Sequence, residues 1–184
     1  YMGSAAGLNP VPLHRLERNQ GGAFFGRSIS SAGDINGDGF SDVIIGSSKW
    51  LYTSGASDQG SAFVYYGSAL GLGAGLNPAF SLQLFGTGRD SAYCGCWVAC
   101  AGDLNGDGYS DVTVSGYTEE NGQTDEGLVY IYHGSGTGLI VAPAVVLESN
   151  QAIAWMGRCM NTAGDVHGDG YADLLVGVTR YTNG

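Results

Sequence analysis

The chain has 184 residues, 33 of them glycine, and a formal net charge of −10 at pH 7. Its seven Lys and Arg residues are too few for the cationic surface that nucleic-acid phosphates require, so nucleic acid is not expected as a partner. No apolar stretch approaches the ~20 residues that cross a bilayer as a helix, and membrane insertion is not expected either.

The predicted elements start with the end of a repeat. The opening YMGSAAGL matches the close of the third-strand segments further along the chain, and LNPVPLHRL after it reads as a short fourth strand. Residues 1–20 are therefore predicted to form the end of a repeat that precedes the first complete one.

The first complete repeat is predicted over residues 21–88 and shows the order of elements that later repeats follow. A first strand, FGRSISSAGD, leads into an acidic loop, which is followed by a second strand, DVIIGSS. The segments GSAFVYYGSALGL and LNPAFSLQL then supply the third and fourth strands. Strand-forming residues fill these segments, turn residues separate them, and no window has a sustained helical period.

The same order returns in a second repeat over residues 89–150 and in a partial third repeat over residues 151–184. The corresponding residues Asp34, Asp103 and Asp165 are 69 and 62 positions apart. Four-stranded repeats at such a period predict an all-β protein made of β-propeller blades. Because a ring takes about four to eight blades, we expect a fragment of a larger six- or seven-bladed ring, or a ring that closes by oligomerisation.

Three acidic loops hold nine of the seventeen acidic residues and predict one metal site in each repeat. In the pattern D-x-N-x-D-G-x-x-D, positions 1, 3 and 5 offer side-chain oxygens, position 7 a backbone carbonyl and position 9 another carboxylate. The candidate ligands are Asp34, Asn36, Asp38, Phe40 and Asp42 in the first loop, Asp103, Asn105, Asp107, Tyr109 and Asp111 in the second, and Asp165, His167, Asp169, Tyr171 and Asp173 in the third.

Oxygen ligands in a flexible loop favour Ca²⁺ over zinc, copper and magnesium. The alternative is that Asn-Gly and Asp-Gly serve only as hairpin turns, which explains the glycines. It does not explain the carboxylates, which would repel each other by about 1 kcal/mol per close pair. About three calcium sites are therefore expected, and they would move the net charge of −10 to about −4.

The third loop departs from this pattern, because His167 stands where the other loops have asparagine. An imidazole nitrogen is a poor ligand for Ca²⁺, so this site is expected to be weaker, to use a water in that position, or to admit a softer metal. Calcium is still expected to bind there through Asp165, Asp169, the Tyr171 carbonyl and Asp173.

The run of FG, GDINGDGFSDVIIG and GSAFVYYGS resembles the FG-GAP repeat of integrin alpha-subunit propellers and their prokaryotic relatives. The resemblance covers essentially the whole chain and implies that each acidic loop joins the first and second strands of a blade. Two features depart from the family pattern. The GAP triplet is replaced by GSS, SGY and GVT, and the FG phenylalanine is replaced by Cys94 and Met156.

The expected function is a calcium-stabilised, non-catalytic recognition or adhesion scaffold at the cell surface, outside the cell or in the periplasm, where calcium is abundant. The resemblance implies protein partners, or glycans if the chain acts like the related lectins. The alternatives are a carbohydrate-binding lectin and an accessory propeller of a larger extracellular enzyme. A dockerin-like module is the structural rival, and it would require a helix after each loop. No enzyme motif is present.

The sequence also predicts the roles of the cysteines, one tryptophan and two histidines. The four cysteines are predicted to lie in first strands as buried free thiols, because their spacing suggests no disulfide. Trp50 is the candidate for an exposed ligand anchor. His14 and His133 are interpreted as structural or surface residues without an acidic partner.

Overall fold

A computed structural model of the chain describes residues 1–52 and 54–183, so Thr53 and Gly184, which fall in the first and third predicted repeats, lie outside the described residues. Twelve strands and no helix form within this part of the chain, and hence no helix there could span a membrane. The strands are β1 Gly3–Ser4, β2 Gly7–Leu8, β3 Phe25–Gly33, β4 Asp42–Ser47, β5 Ser61–Tyr65, β6 Leu82–Leu84, β7 Trp97–Gly102, β8 Asp111–Gly116, β9 Leu128–Tyr132, β10 Val145–Glu148, β11 Met156–Gly164 and β12 Asp173–Val178.

The strands build antiparallel sheets in which each strand pairs with the next one along the chain. Blade 1 has the order β3-β4-β5-β6, blade 2 has the order β7-β8-β9-β10, and blade 3 consists of β11 and β12. The prediction of an all-β protein made of four-stranded propeller blades is confirmed. These sheets do not close into a ring, which fits a fragment of a larger propeller.

The middle strands are buried on both faces because each blade lies against a neighbour. In blade 1, Ile44 pairs with Val64 and Ile45 pairs with Phe63, so one pair lies on each face of the sheet. The first pair joins a core shared with blade 2, whereas Ile45 and Phe63 join a core on the opposite face. This explains why the second and third strands read as continuous apolar runs.

The first strands of successive blades lie side by side, with β3 against β7 and β7 against β11. Each is the edge strand of its sheet, and serine side chains form hydrogen bonds with some of the backbone N–H groups that this edge leaves unpaired. The Ser28 and Ser30 hydroxyls of β3 accept hydrogen bonds from the backbone N–H groups of Val98 and Cys100 in β7, at 2.9 and 3.3 Å. Adjacent blades are therefore joined by polar contacts as well as by the shared core.

Residues 1–20 cover the outer face of blade 1. Leu16 packs against the core that contains Phe63 and Tyr65, and Arg18 donates a hydrogen bond to the Tyr65 hydroxyl. The fourth strand predicted in LNPVPLHRL does not form, since no third strand lies beside it among the described residues; the short hairpin of β1 and β2 forms instead.

Trp50 is not the exposed anchor that we expected. Its ring lies 5.0 Å from the Phe63 ring in an edge-to-face contact, and the residue is half-buried in the same core. It is therefore a packing residue of blade 1.

The cysteines are free, but their predicted placement is only partly correct. Cys94 and Cys96 are buried and precede β7, because Tyr93 and Gly95 have positive φ values that interrupt an extended strand. Cys159 lies in β11 but is exposed, on a blade that has only two strands among the described residues.

Blades 1 and 2 lie close together at Gly46, where a Cβ atom would lie 2.0 Å from the carbonyl oxygen of Gly95. The same position in blade 2 is Ser115, whose hydroxyl donates a hydrogen bond of 2.6 Å to the carbonyl oxygen of Gly157 in blade 3. The blade 1–2 interface thus has no room for a side chain at a position where the blade 2–3 interface uses one.

Replacing Gly46 with alanine should therefore separate blades 1 and 2. Because the added methyl would meet backbone rather than a flexible side chain, we expect a loss of about 3 kcal/mol in the free energy of unfolding. The measurement is denaturant unfolding followed by circular dichroism. Gly21→Ala is the matched control, since no atom lies within 4 Å of the place its methyl would take and its φ is not positive. Equal losses in the two variants would contradict the explanation.

Candidate metal centres

The three acidic loops occupy equivalent positions, each joining the first and second strands of a blade. They connect β3 to β4, β7 to β8 and β11 to β12. The strand that follows each loop begins at the loop's last aspartate, namely Asp42, Asp111 or Asp173. This is the position that the resemblance implies.

In the first loop, the side chains at positions 1, 3 and 5 hold the backbone in a tight turn. Asp34 accepts hydrogen bonds from the N–H groups of Asp38, at 3.1 Å, and Gly39, at 2.9 Å. Asn36 Oδ1 accepts from Asp38 N–H, and Asp38 Oδ1 accepts from Phe40 N–H. These Asx-type turns are the reason that short polar side chains recur at alternate positions of the loop.

Asp42, at position 9, has a different environment from the other carboxylates of its loop. It is fully buried, with one oxygen accepting from Ile35 N–H and the other from Gly67 N–H, both at 2.8 Å. Burial raises the pKa of the Asp42 carboxyl, and the two backbone donors oppose that rise. The side chain thus ties the acidic loop to the end of the third strand.

The second loop repeats this arrangement almost atom for atom. Asp103 accepts from the N–H groups of residues 106, 107 and 108, at 2.7 to 3.1 Å. Asp111 is fully buried and accepts from the N–H groups of Leu104 and Gly134. His133 Nδ1 lies 3.0 Å from Asp111 Oδ2, so this histidine has the acidic neighbour that sequence spacing did not reveal.

The third loop places its imidazole between two carboxylates. His167 Nε2 lies 3.0 Å from Asp169 Oδ2, and its Nδ1 lies 3.2 Å from Asp173 Oδ2. The pKa of His167 is raised, first by its hydrogen bond to Asp173 and then by the charge of Asp169. The pKa of Asp165 is lowered, mainly by the N–H group of Gly170.

The three loops differ in how closely they bring acidic and histidine side chains together. Within residues 1–52 and 54–183, only Asp165, His167 and Asp173 form a group of three whose potential ligand atoms all lie within 4.8 Å of one another. In the first two loops, the carboxylate at position 9 is turned inward to backbone donors instead. The potential metal ligands in the first two loops are hard oxygen atoms, which fit Ca²⁺ or another hard divalent cation.

The aromatic side chains at position 7 link each loop to its predecessor. A Cβ atom on Gly37 would lie 2.7 Å from the Tyr109 ring, and one on Gly106 would lie 2.6 Å from the Tyr171 ring. Backbone hydrogen bonds strengthen the link, since Asp34 O accepts from Ser110 N–H at 3.0 Å. The corresponding bond in the next pair joins Asp103 O to Ala172 N–H at 2.8 Å. The loops therefore form a connected row across the three blades.

Comparison with known proteins gives one consistent result. A family model described as FG-GAP repeat matches residues 25–65, and one described as FG-GAP-like repeat matches residues 103–176. The chain is 35% identical to human integrin alpha-7 over 175 residues, which is 95% of this chain and 14% of that protein. It is 33% identical to chicken integrin alpha-V over 180 residues, covering 93% of this chain and 16% of that protein.

Xenopus laevis integrin alpha-4 is 30% identical over 159 residues, which is 85% of this chain and 14% of that protein. The chain therefore spans about one seventh of the length of these curated relatives.

The contact between successive loops can be tested without any metal. Gly106→Ala and Gly168→Ala both place a methyl group at a positive φ, at a cost of about 1 kcal/mol each. Only the methyl at position 106 would displace a neighbouring ring, that of Tyr171, so this variant should lose about 1 kcal/mol more than Gly168→Ala. Denaturant unfolding in EDTA would measure the difference, and identical losses would show that the ring contact contributes nothing.

Proposed function

This chain belongs to the FG-GAP repeat family, and from that premise we propose that it is a calcium-stabilised, non-catalytic recognition or adhesion scaffold of the integrin alpha-like type. The observation that supports this proposal most strongly is the repeated geometry of the three acidic loops. Each loop occupies the same hairpin of its blade, and the first two place Asp, Asn and Asp side chains in the same hydrogen-bonding pattern.

The proposed calcium ligands are the side chains at positions 1, 3, 5 and 9 of each loop, together with the carbonyl at position 7. Asp38 and Asp107 are exposed, and each accepts one bond from a backbone N–H and one from the asparagine side chain of its loop, which leaves oxygen lone pairs free. A bound cation would offset the repulsion among the carboxylates that hairpin turns alone do not require. The third loop is proposed as the weakest site, because a histidine pairs with two of its carboxylates.

Calcium would stabilise more than single hairpins, because the loops are connected across the blades. With a dissociation constant of ~10⁻⁴ M and ~1 mM free calcium, each site contributes ~1.4 kcal/mol, or ~4 kcal/mol for three independent sites. This is a large share of the ~5–15 kcal/mol that stabilises a typical domain.

The location and assembly of the protein follow as further parts of the proposal. Calcium sites of this strength suit the cell surface, the extracellular space or the periplasm, where calcium is abundant. The outer face of blade 3 includes Leu175, which is 61% exposed. We propose that another blade covers this face, supplied by the remainder of a larger propeller or by another copy of the chain.

The alternatives have less support. A lectin would need exposed aromatic rings on which sugars can stack, but the third-strand residues Tyr65, Tyr130 and Tyr132 are at most 6% exposed. The dockerin alternative requires helices, whereas the structure has a strand after each acidic loop. An accessory role beside a catalytic domain remains compatible with the same scaffold and would not change the calcium sites.

Removing calcium with EDTA should lower the melting temperature by about 10 °C, because ~4 kcal/mol of binding energy is lost. Asp107→Asn removes one loop charge with little change of shape and should cut the calcium-dependent part of this shift by about a third. Asp90→Asn is the matched control outside the loops and should leave the shift intact. A melting temperature that does not respond to EDTA would contradict the proposed role of calcium.

Replacing His167 with asparagine should restore the ligand type of the first two loops and free Asp169 and Asp173 from the imidazole. We expect calcium affinity at the third loop to rise about tenfold, since a hard oxygen replaces a poor nitrogen ligand. Isothermal titration calorimetry on the wild type and the variant would measure the change. His14→Asn, which makes the same replacement outside the loops, serves as the matched control. An unchanged affinity at the third loop would show that the histidine does not weaken the site.

A further inference from the structure

The end of the blades opposite the acidic loops carries a row of aromatic residues at equivalent positions. Phe24, Tyr93 and Trp155 each precede a first strand by one to four residues, and each has a φ value between 53° and 55°. A left-handed backbone is uncommon for large side chains and has a cost in each blade. The three blades therefore share the same unusual turn at this end.

Arginine side chains lie against the ring of Trp155 and against that of Tyr117, which stacks on Tyr93. The Arg158 guanidinium lies 4.8 Å from the ring centroid of Tyr117 and 5.0 Å from that of Trp155, and the Arg180 guanidinium lies 3.5 Å from that of Trp155. Stacking on a ring holds the guanidinium plane but leaves its N–H donors at the edge free for an oxygen ligand. These arginines are thus oriented without being neutralised.

A cavity of about 300 Å³ opens at this end of the first strands. Its lining includes Arg27 from blade 1 and Arg158 from blade 3, with Cys96, Trp97 and Tyr117 of blade 2 between them. Arg27, Cys96 and Arg158 follow the equivalent glycines of the three repeats. Two cationic side chains from different blades therefore face one small space.

The chain has seven basic residues, and four of them have polar partners of their own. Arg15, Lys49 and Arg89 form ion pairs with acidic side chains, and Arg18 bonds to the Tyr65 hydroxyl. Within the described part of the chain, no carboxylate lies within ion-pair distance of the remaining three, Arg27, Arg158 and Arg180. Arg18 also lacks a carboxylate partner, but its guanidinium is held by Tyr65 and the rings around it, whereas Arg27 and Arg158 face the cavity.

We propose that the Arg27–Arg158 cavity is a recognition site for the carboxylate side chains of an acidic peptide segment of a protein partner. Arginine forks bind carboxylates in bidentate geometry, and an aromatic wall strengthens such contacts by excluding water. This inference deepens the recognition role proposed above and rests on it, because it names the chemical class of the partner.

An acidic protein segment fits this site better than an acidic glycan. Sugars bind aromatic residues by lying on an open ring face, but these faces are occupied. The Tyr117 ring is stacked on Tyr93 at 5.5 Å and 8°, and Trp155 lies beneath two guanidinium groups. Trp97, which is 40% exposed, leaves an apolar rim beside the cavity for a neighbouring side chain of a peptide.

The test uses the full 184-residue chain and a fluorescein-labelled hexaglutamate peptide, with hexaglutamine as the uncharged probe. Fluorescence anisotropy should give a dissociation constant for hexaglutamate below about 1 mM, rising with salt, and no binding of hexaglutamine. Arg27→Gln and Arg158→Gln should each weaken binding by about fivefold or more. Arg15→Gln, which removes the same charge from an exposed ion pair elsewhere, should change it by less than about twofold.

Several outcomes would overturn the inference. They are the absence of hexaglutamate binding to the wild type, equal losses in Arg15→Gln and Arg158→Gln, and binding of hexaglutamine as strong as that of hexaglutamate. Stronger competition by tetragalacturonate or inorganic phosphate than by unlabelled hexaglutamate would also overturn it, in favour of a glycan or a free anion.

Melting curves of the same samples with calcium and with EDTA separate this inference from the proposed function. Intact calcium stabilisation without peptide binding would overturn the inference alone. Peptide binding without calcium stabilisation would overturn the calcium role alone. Because Arg27 and Arg158 are exposed, both variants should retain the wild-type melting temperature to within a few degrees, which shows that they fold.

Discussion

The blade architecture depends on the buried aspartate that ends the acidic loop in each of the two four-stranded blades. Asp42 and Asp111 have no exposed surface, yet each accepts two backbone hydrogen bonds, one from its own loop and one from the end of the third strand. A buried carboxylate is tolerated only with such donors. The loop conformation and the strand pairing therefore stabilise each other, and an error in either would leave a charge buried without partners.

This mutual dependence passes from blade to blade through the acidic loops. The carbonyl of the first residue in one loop accepts a hydrogen bond from the eighth residue of the next loop, as Asp34 does from Ser110. The Tyr109 ring then covers Gly37, where a side chain would not fit. A cation that orders one loop would consequently help to order its neighbour, so metal binding and blade stacking would be coupled.

Much of the fold could be predicted from the sequence because its determinants are local and repeated. Short apolar segments, turn glycines and the nine-residue loops each occupy consecutive positions, and they identify strands and hairpins directly. Features that depend on distant residues could not be predicted. His133 meets Asp111 only because β8 and β9 pair, and Trp50 becomes a packing residue only because Phe63 lies beneath it. The arginine cavity joins Arg27 to Arg158 across three blades, so no local pattern indicates it.

The acidic loops and the arginine cavity lie at opposite ends of the first strands, and their separation has a physical consequence. From Arg27 to Gly33, at the start of the first acidic loop, β3 extends roughly 20 Å at about 3.3 Å per residue. This distance is more than twice the screening length of about 8 Å at physiological salt. Neutralising the loops would therefore leave the potential at the arginine cavity nearly unchanged. Any influence of calcium on recognition must then be mechanical, acting through the rigidity and spacing of first strands that bring arginines of different blades to one cavity.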